Sequence, residues 1–177
     1  MHKKIVSFIV LISLMLNISV FAEPSYDLTR NSYVFSNQLK YALRGDLKNY
    51  ASTFVECEEK YGVNAIFLSS IAALESGWAS SDLAEEKNNL FGWRQNDGKY
   101  KDFKSVEKCI DHVAKTISTQ YLDDTGAYYS GGTQICDIAN YYSTSKDWTN
   151  AVCEIADQIT ERCEEYEETA PEFCCRG

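Results

Sequence analysis

Residues 64–75, NAIFLSSIAALE, constrain this chain more than any other stretch: a nearly all-apolar run that ends in a single acid, Glu75. Ile66, Phe67, Leu68, Ile71, Ala72 and Leu74 extend around most of a helical cylinder, which predicts a buried central helix rather than a surface one. Asn64 is placed to cap that helix, and Gly62 to stop the one before it. Counting back from Glu75 by four and by seven gives Ile71 and Leu68, so its carboxyl group is expected on an otherwise apolar face. Burial there and the negative end of the helix dipole both oppose a carboxylate and favour a protonated acid able to donate its proton. The competing reading is a glutamate that simply emerges into solvent where the helix ends at Gly77.

The surroundings of Glu75 favour the chemical reading. Trp78, Phe91, Trp93 and Tyr100 supply apolar faces, and Asn88 and Asn89 supply amides, the groups suited to N-acetylated sugars. Ordinary core packing is the competing use of the aromatics.

The rest of the pattern is helical. Leu47, Tyr50, Ala51, Phe54 and Val55 predict a helix over 47–61, and Ser81 or Asp82 starts a short one, with Glu85 completing a capping box. Asn96, Asp97 and Gly98 signal a hairpin turn between 93–95 and 99–103, the one convincing β feature. Ser105 caps a helix whose face carries Val106, Cys109, Ile110, Val113, Ile117 and Tyr121; residues 123–132 form a loop. Thr133 caps a helix with Ile135, Ile138, Ala139 and Tyr142, and Trp148, Val152, Ile155, Ala156 and Ile159 mark the last one. Residues 23–46 read as an N-terminal extension, of which 23–35 lack periodicity and are expected to wrap the surface. Residues 161–177 read as an acidic tail, disordered unless its cysteines pin it to the body. No repeat or second domain is visible, so 47–160 form one mainly α domain with a short β-hairpin.

Residues 1–22 have the form of a secretory signal peptide: Lys3 and Lys4, an apolar core from 5 to 20, and a small-residue site ending at Ala22. The competing reading is an uncleaved membrane anchor; with cleavage the mature chain is exported and has no stable membrane insertion. The leader holds two lysines and no acid, so the mature chain is more acidic than the −9 of the full 177 residues. That charge excludes nucleic acid as a partner and leaves an anionic cell wall or membrane to be held by a shaped cleft rather than by charge. The seven cysteines (57, 109, 136, 153, 163, 174, 175) of an exported chain point to disulfides, and the odd count leaves one thiol free or bonded to another molecule. There is no C-x-x-C, and His112 is the one histidine after the leader, so neither a metal nor another cofactor is expected. The same scarcity argues against Ser-His-Asp or Cys-His catalysis, with Cys109 and His112 read as two residues of one helix.

The run Ala73-Leu74-Glu75-Ser76-Gly77-Trp78, then Ser81, Leu83-Ala84 and Asn88-Asn89-Leu90-Phe91-Gly92, resembles the signature of the glucosaminidase domain of glycoside hydrolase family 73. The likeness continues through Phe103-Lys104-Ser105 and Tyr142-Ser143-Thr144 to Trp148, covering about residues 47–160. It implies a lysozyme-like helical fold and a bacterial or phage enzyme whose partner is the glycan strand of peptidoglycan. The bond cut is the β-1,4 link from N-acetylglucosamine to N-acetylmuramic acid. It also implies Glu75 as general acid, Tyr142 as a tyrosine facing the cleft, and sugar contacts from Ser76, Trp78, Asn88, Asn89, Phe91, Trp93 and Tyr100.

Two departures stand out. Ser145 and Lys146 replace the usual Asp-Pro, and the lobe after Gly92, where many members place a second carboxylate, is short. Asp97 is explained by its turn, which leaves Asp102, on the strand face of Tyr100, as the candidate second acid. The alternatives are a catalytically degenerate glycan-binding module, or a muramidase or lytic transglycosylase on the same fold.

Overall fold

The computed structural model describes residues 27–145 and 147–169; the leader and the cysteine pair Cys174 and Cys175 lie outside the described residues. In chain order the elements are α1 (Ser36–Ala42), a 3-10 helix (Gly45–Tyr50), α2 (Ala51–Tyr61), α3 (Ala65–Ser76) and α4 (Asp82–Lys87). Then come α5 (Val106–Thr116), a π-helical turn (Ile117–Leu122), α6 (Ile135–Tyr142) and α7 (Trp148–Thr169).

The central helix forms as its sequence requires. Gly62 adopts the left-handed conformation (φ 67°) and closes α2 with its N–H on the Glu58 carbonyl. Two residues on, Asn64 accepts from the Phe67 N–H at 3.1 Å and opens α3, which Gly77 ends in the same left-handed way (φ 58°). Phe67, Leu68, Ile71 and Ala72 are buried, each larger side chain contributing about 1.5–3 kcal/mol. The polar members Ser69 and Ser70 return their hydroxyls to the Ile66 carbonyl at 3.0 and 2.7 Å, so α3 crosses the core without an unpaired hydroxyl. α3 packs on α7, α7 on α1, and α2 on α5.

The chain ends are more deeply integrated than their sequence suggests. Residues 27–35 do not merely wrap the surface. Leu28 is fully buried, donates its N–H to the Thr133 carbonyl at 2.9 Å and accepts from the Asn64 N–H at 2.8 Å. The segment is a strap tying the start of α3 to the start of α6, held by backbone bonds that leave no periodicity to read. Leu39 and Ala42 of α1 are buried, and α1 lies against α7.

Residues 161–169, read from the sequence as the start of an acidic tail, belong to α7, which runs to Thr169. Cys163 prolongs the buried stripe of Val152, Ala156 and Ile159. The Arg162 guanidinium donates to the Tyr41 and Ala42 carbonyls at 2.8 Å, and Gln38 donates to Glu167 at 2.6 Å.

Three smaller expectations change. Gln134, not Thr133, opens α6, with the Asp137 carboxylate accepting its N–H at 2.9 Å. The hairpin shrinks to a single bridge between Arg94 and Tyr100, flanked by the Gln95 N–H on Lys99 O (2.8 Å) and the Lys101 N–H on Trp93 O (2.9 Å). The disulfide framework is absent among the described residues: Cys57, Cys109, Cys136, Cys153 and Cys163 are all free thiols, and the intermolecular disulfide has no support. Cys57 and Cys109 instead serve as small apolar core residues, and burial pushes each thiol up to about 12.

Candidate active site

Glu75 stands in the last turn of α3. Just beyond it Ser76 turns the chain: its hydroxyl donates to the Ala72 carbonyl at 2.6 Å and accepts from the Ala79 N–H at 2.8 Å. The Glu75 side chain is exposed to a cleft rather than buried, because the apolar face shared with Ile71 and Leu68 opens at the helix end. The burial expected from the sequence is therefore not present in the empty cleft. What holds the carboxylate is Trp148, almost fully buried at the start of α7, whose indole N–H donates to Oε1 at 2.8 Å.

Tyr142, at the end of α6, packs its ring 5.1 Å from that of Trp148, and Tyr121 lies 6.0 Å beyond. The Tyr142 hydroxyl is buried and has no hydrogen-bond partner among the described residues. Burial first, and the Glu75 charge second, hold this phenol well above its ordinary range. It is thus a protonated donor beside Glu75 at any physiological pH.

The opposite wall is the lobe after α4. Asn88 takes the left-handed conformation (φ 51°) that ends α4, and its amide donates to the Phe103 carbonyl at 2.9 Å. Asn89, 1% exposed, bonds the whole lobe together: Nδ2 donates to the Trp93 and Lys101 carbonyls, and Oδ1 accepts from the Trp93 N–H, each at 2.9 Å. Arg94 donates to Gly98 O at 2.7 Å and to the Tyr100 hydroxyl at 2.8 Å, its guanidinium 4.0 Å from the ring centroid.

Between these walls lies a cleft of about 600 Å³. Glu75 and Tyr142 face it from the helical side; Phe91, Trp93, Arg94 and Tyr100 from the lobe; Tyr121, Tyr128, Ser143 and Thr144 complete it. Of the residues singled out in the sequence, Glu75, Tyr142, Phe91, Trp93 and Tyr100 are brought together. Five are not. Ser76 is fully buried and spent on its turn. Asn88 and Asn89 donate their Nδ2 groups to backbone carbonyls of the lobe and do not line the cleft. Trp78 lies under the Arg44 guanidinium (5.3 Å), outside the cleft lining. Asp102 is exposed and does not line the cleft, although Tyr100 two residues before it does.

Trp148, Arg94, Tyr121, Tyr128, Ser143 and Thr144 were not recognised as site residues. Trp148 and Tyr121 sit in apolar helical stripes and read as core, while Tyr128 sits in a loop whose excess of tyrosine was the one available signal.

The family model of the glucosaminidases, described as mannosyl-glycoprotein endo-β-N-acetylglucosaminidase, matches residues 51–161. The chain belongs to the glucosaminidase family. This glucosaminidase-family chain is also 32% identical over 120 residues to a proposed endo-β-N-acetylglucosaminidase of Streptococcus pneumoniae, covering 66% of this chain and 18% of that protein. It therefore spans less than a fifth of that relative's length. Among solved structures, a catalytic mutant of S. aureus Autolysin E in complex with the disaccharide NAG-NAM superposes with a TM-score of 0.65 at 22% identity, over 78% of this chain and 72% of that one. The catalytic domain of the autolysin Auto from Listeria monocytogenes gives 0.53 at 15% identity, over 66% and 84%. Both share the lysozyme-like helical fold.

Proposed function

We propose that this domain hydrolyses the glycan strand of peptidoglycan as an endo-β-N-acetylglucosaminidase. Glu75 is the proton donor to the oxygen that leaves N-acetylglucosamine. The observation that carries the reading is that Glu75 is the one carboxylate among the described residues lining the cleft, fixed by Trp148 and flanked by the protonated Tyr142. Family membership supports the bond type, and Autolysin E, crystallised with NAG-NAM, supports the class of sugar. The leader-like residues 1–22 support action outside the cell.

A lone carboxylate restricts the mechanism. Paired carboxyl groups flank the bond in most glycosidases, about 5 Å apart in retaining enzymes and wider in inverting ones. With Asp102 outside the cleft, the nucleophile is best supplied by the substrate's own acetamido group. Its carbonyl oxygen attacks C1 as the C1–O bond breaks; the leaving oxygen takes the proton of Glu75, and an oxazolinium ion forms. Glu75, now a carboxylate, takes a proton from the water that opens that ring, which restores the acid and retains the β configuration. Tyr142, as a donor, is suited to orient the acetamido group or steady the charge that develops there. Purified cell walls digested with wild type and with Glu75→Gln, and the products weighed, test the reading. Hydrated reducing-end N-acetylglucosamine in the first digest alone supports it. Full activity of Glu75→Gln, a 1,6-anhydro end, or reducing-end muramic acid overturns it.

A further inference from the structure

Trp93 and Arg94 belong to two hollows at once. On their far side from Glu75 a second groove, about 540 Å³, is also lined by Gln95, Asp97, Lys101 and His112. Its charges are lopsided. Arg94 spends its donors on a carbonyl and a phenol, with no carboxylate. The Lys101 ammonium stands 3.3 Å from His112 Nε2 and 4.9 Å from the Phe103 ring centroid, again with no carboxylate.

Asp97, which lines the groove, and Asp111 beside His112 are already engaged. Asp97 pairs with Lys99 at 3.4 Å, and Asp111 binds Lys60 at 2.7 Å and Tyr61 at 2.9 Å. Burial, and then Lys101 itself, hold the His112 imidazole below its ordinary value, so the ring is neutral and accepts from the ammonium. Arg94 and Lys101, neither bonded to a carboxylate, therefore share one groove with the single acid Asp97, on a chain that carries 26 acids against 17 bases.

Neutral sugar rings give these cations no partner. The muramic residue next to the scissile bond, however, bears a lactyl group, and in peptidoglycan that group carries a peptide ending in carboxylates. We infer that the groove of Arg94 and Lys101 is a subsite for the carboxylates of this peptide, so that the domain prefers peptide-bearing glycan over bare glycan. The inference rests on the glucosaminidase reading above. Arg94 touches both hollows and reports on either; Lys101 lines the groove alone and is the residue to change.

The decisive experiment compares intact wall glycan with glycan stripped of its peptides by an amidase, using wild type, Lys101→Gln and Lys101→Arg. An exposed ion pair is worth up to about 1 kcal/mol, so Lys101→Gln should raise KM on peptide-bearing glycan about three- to fivefold. It should leave bare glycan unchanged, with Lys101→Arg restoring the preference and added salt erasing it. Equal effects on both glycans, or none on either, overturn the subsite while leaving the glucosaminidase reading intact. Should wild type cut neither glycan, that reading falls first. Calorimetric binding of a disaccharide-peptide against the peptide-free disaccharide, by wild type and Lys101→Gln, then decides the subsite: a preference lost in the variant supports it, and equal affinities overturn it.

Discussion

The two walls of the cleft are built by different physics. The helical wall takes Glu75, Tyr142 and Trp148 from the ends of three helices, α3, α6 and α7, and fixes them by burying Ile71, Ile138 and Val152 behind them. The lobe opposite anchors on the buried Leu90, Phe91 and Phe103 and adds polar ties to them. Its shape depends on the amide of Asn89, which binds three backbone groups, and on one bridge between Arg94 and Tyr100. Apolar burial sets the helical wall by area and tolerates small changes of shape; a single buried amide sets the lobe by direction and tolerates none. The carboxyl group of Glu75 accordingly sits on the helical wall, and Phe91, Trp93 and Tyr100 line the cleft from the lobe.

Substitutions on each wall should break this contrast in distinct ways. Glu75→Gln should lower kcat about 10²- to 10⁴-fold, the usual worth of a general acid, with an unchanged melting temperature. Asn89→Ala leaves the Lys101 carbonyl and the Trp93 N–H without this partner, and should cost about 3 kcal/mol in denaturant unfolding while raising KM more than it lowers kcat. Trp148→Phe keeps the ring and removes the donor to Glu75. A fall in kcat of about tenfold, with a stability loss near 1 kcal/mol, is expected from steady-state kinetics and thermal melts.

A pH titration probes the helical wall from behind. Cys57 and Cys109 have their thiols raised from an ordinary 9.0 to about 12 by burial. Both folded and unfolded chains hold these protons below pH 9, so stability there is intact. Above it the unfolded chain loses them first, and the melting temperature should fall progressively toward pH 12. Cys57→Ala with Cys109→Ala should flatten that slope. The smallest effect belongs to Asp102→Asn: an exposed carboxylate outside the cleft should change kcat/KM by less than about twofold, and a larger loss would mean the lobe closes further over substrate than the free cleft shows.

The same contrast explains what could be read from the sequence. The helical wall was legible because helices announce themselves locally: Gly62, Asn64, Ser81, Ser105 and Gly77 act where their types demand. Glu75 was found from its place after an apolar run, although the burial assumed for it was wrong, since a helix end can emerge into a hollow as readily as into a core. The lobe was misread because the direction of an amide has no periodicity. Asn88 and Asn89 look the same whether they hold a sugar or their own backbone. Trp148 was missed as a site residue because one edge of its indole packs in the core while its N–H reaches Glu75; a stripe of apolar residues records only the first fact. The strap at Leu28 and the helix beyond residue 160 depend on distant partners, Thr133 and Gln38 respectively, which no local pattern encodes.

That distance has a consequence for the order of events when the chain is made. α7 spans 22 residues, about 33 Å. It begins with the tryptophan that steadies Glu75 and ends against α1, where Gln38 meets Glu167 across a separation of 129 positions. A chain emerging from its N-terminus can assemble α2 and α3 early, but its acid has no Trp148 and its first helix no counterpart until α7 has followed. The docking of α7 brings Trp148 to Glu75 at one end and meets α1 at the other, so the site and the long-range packing of the fold depend on the same helix.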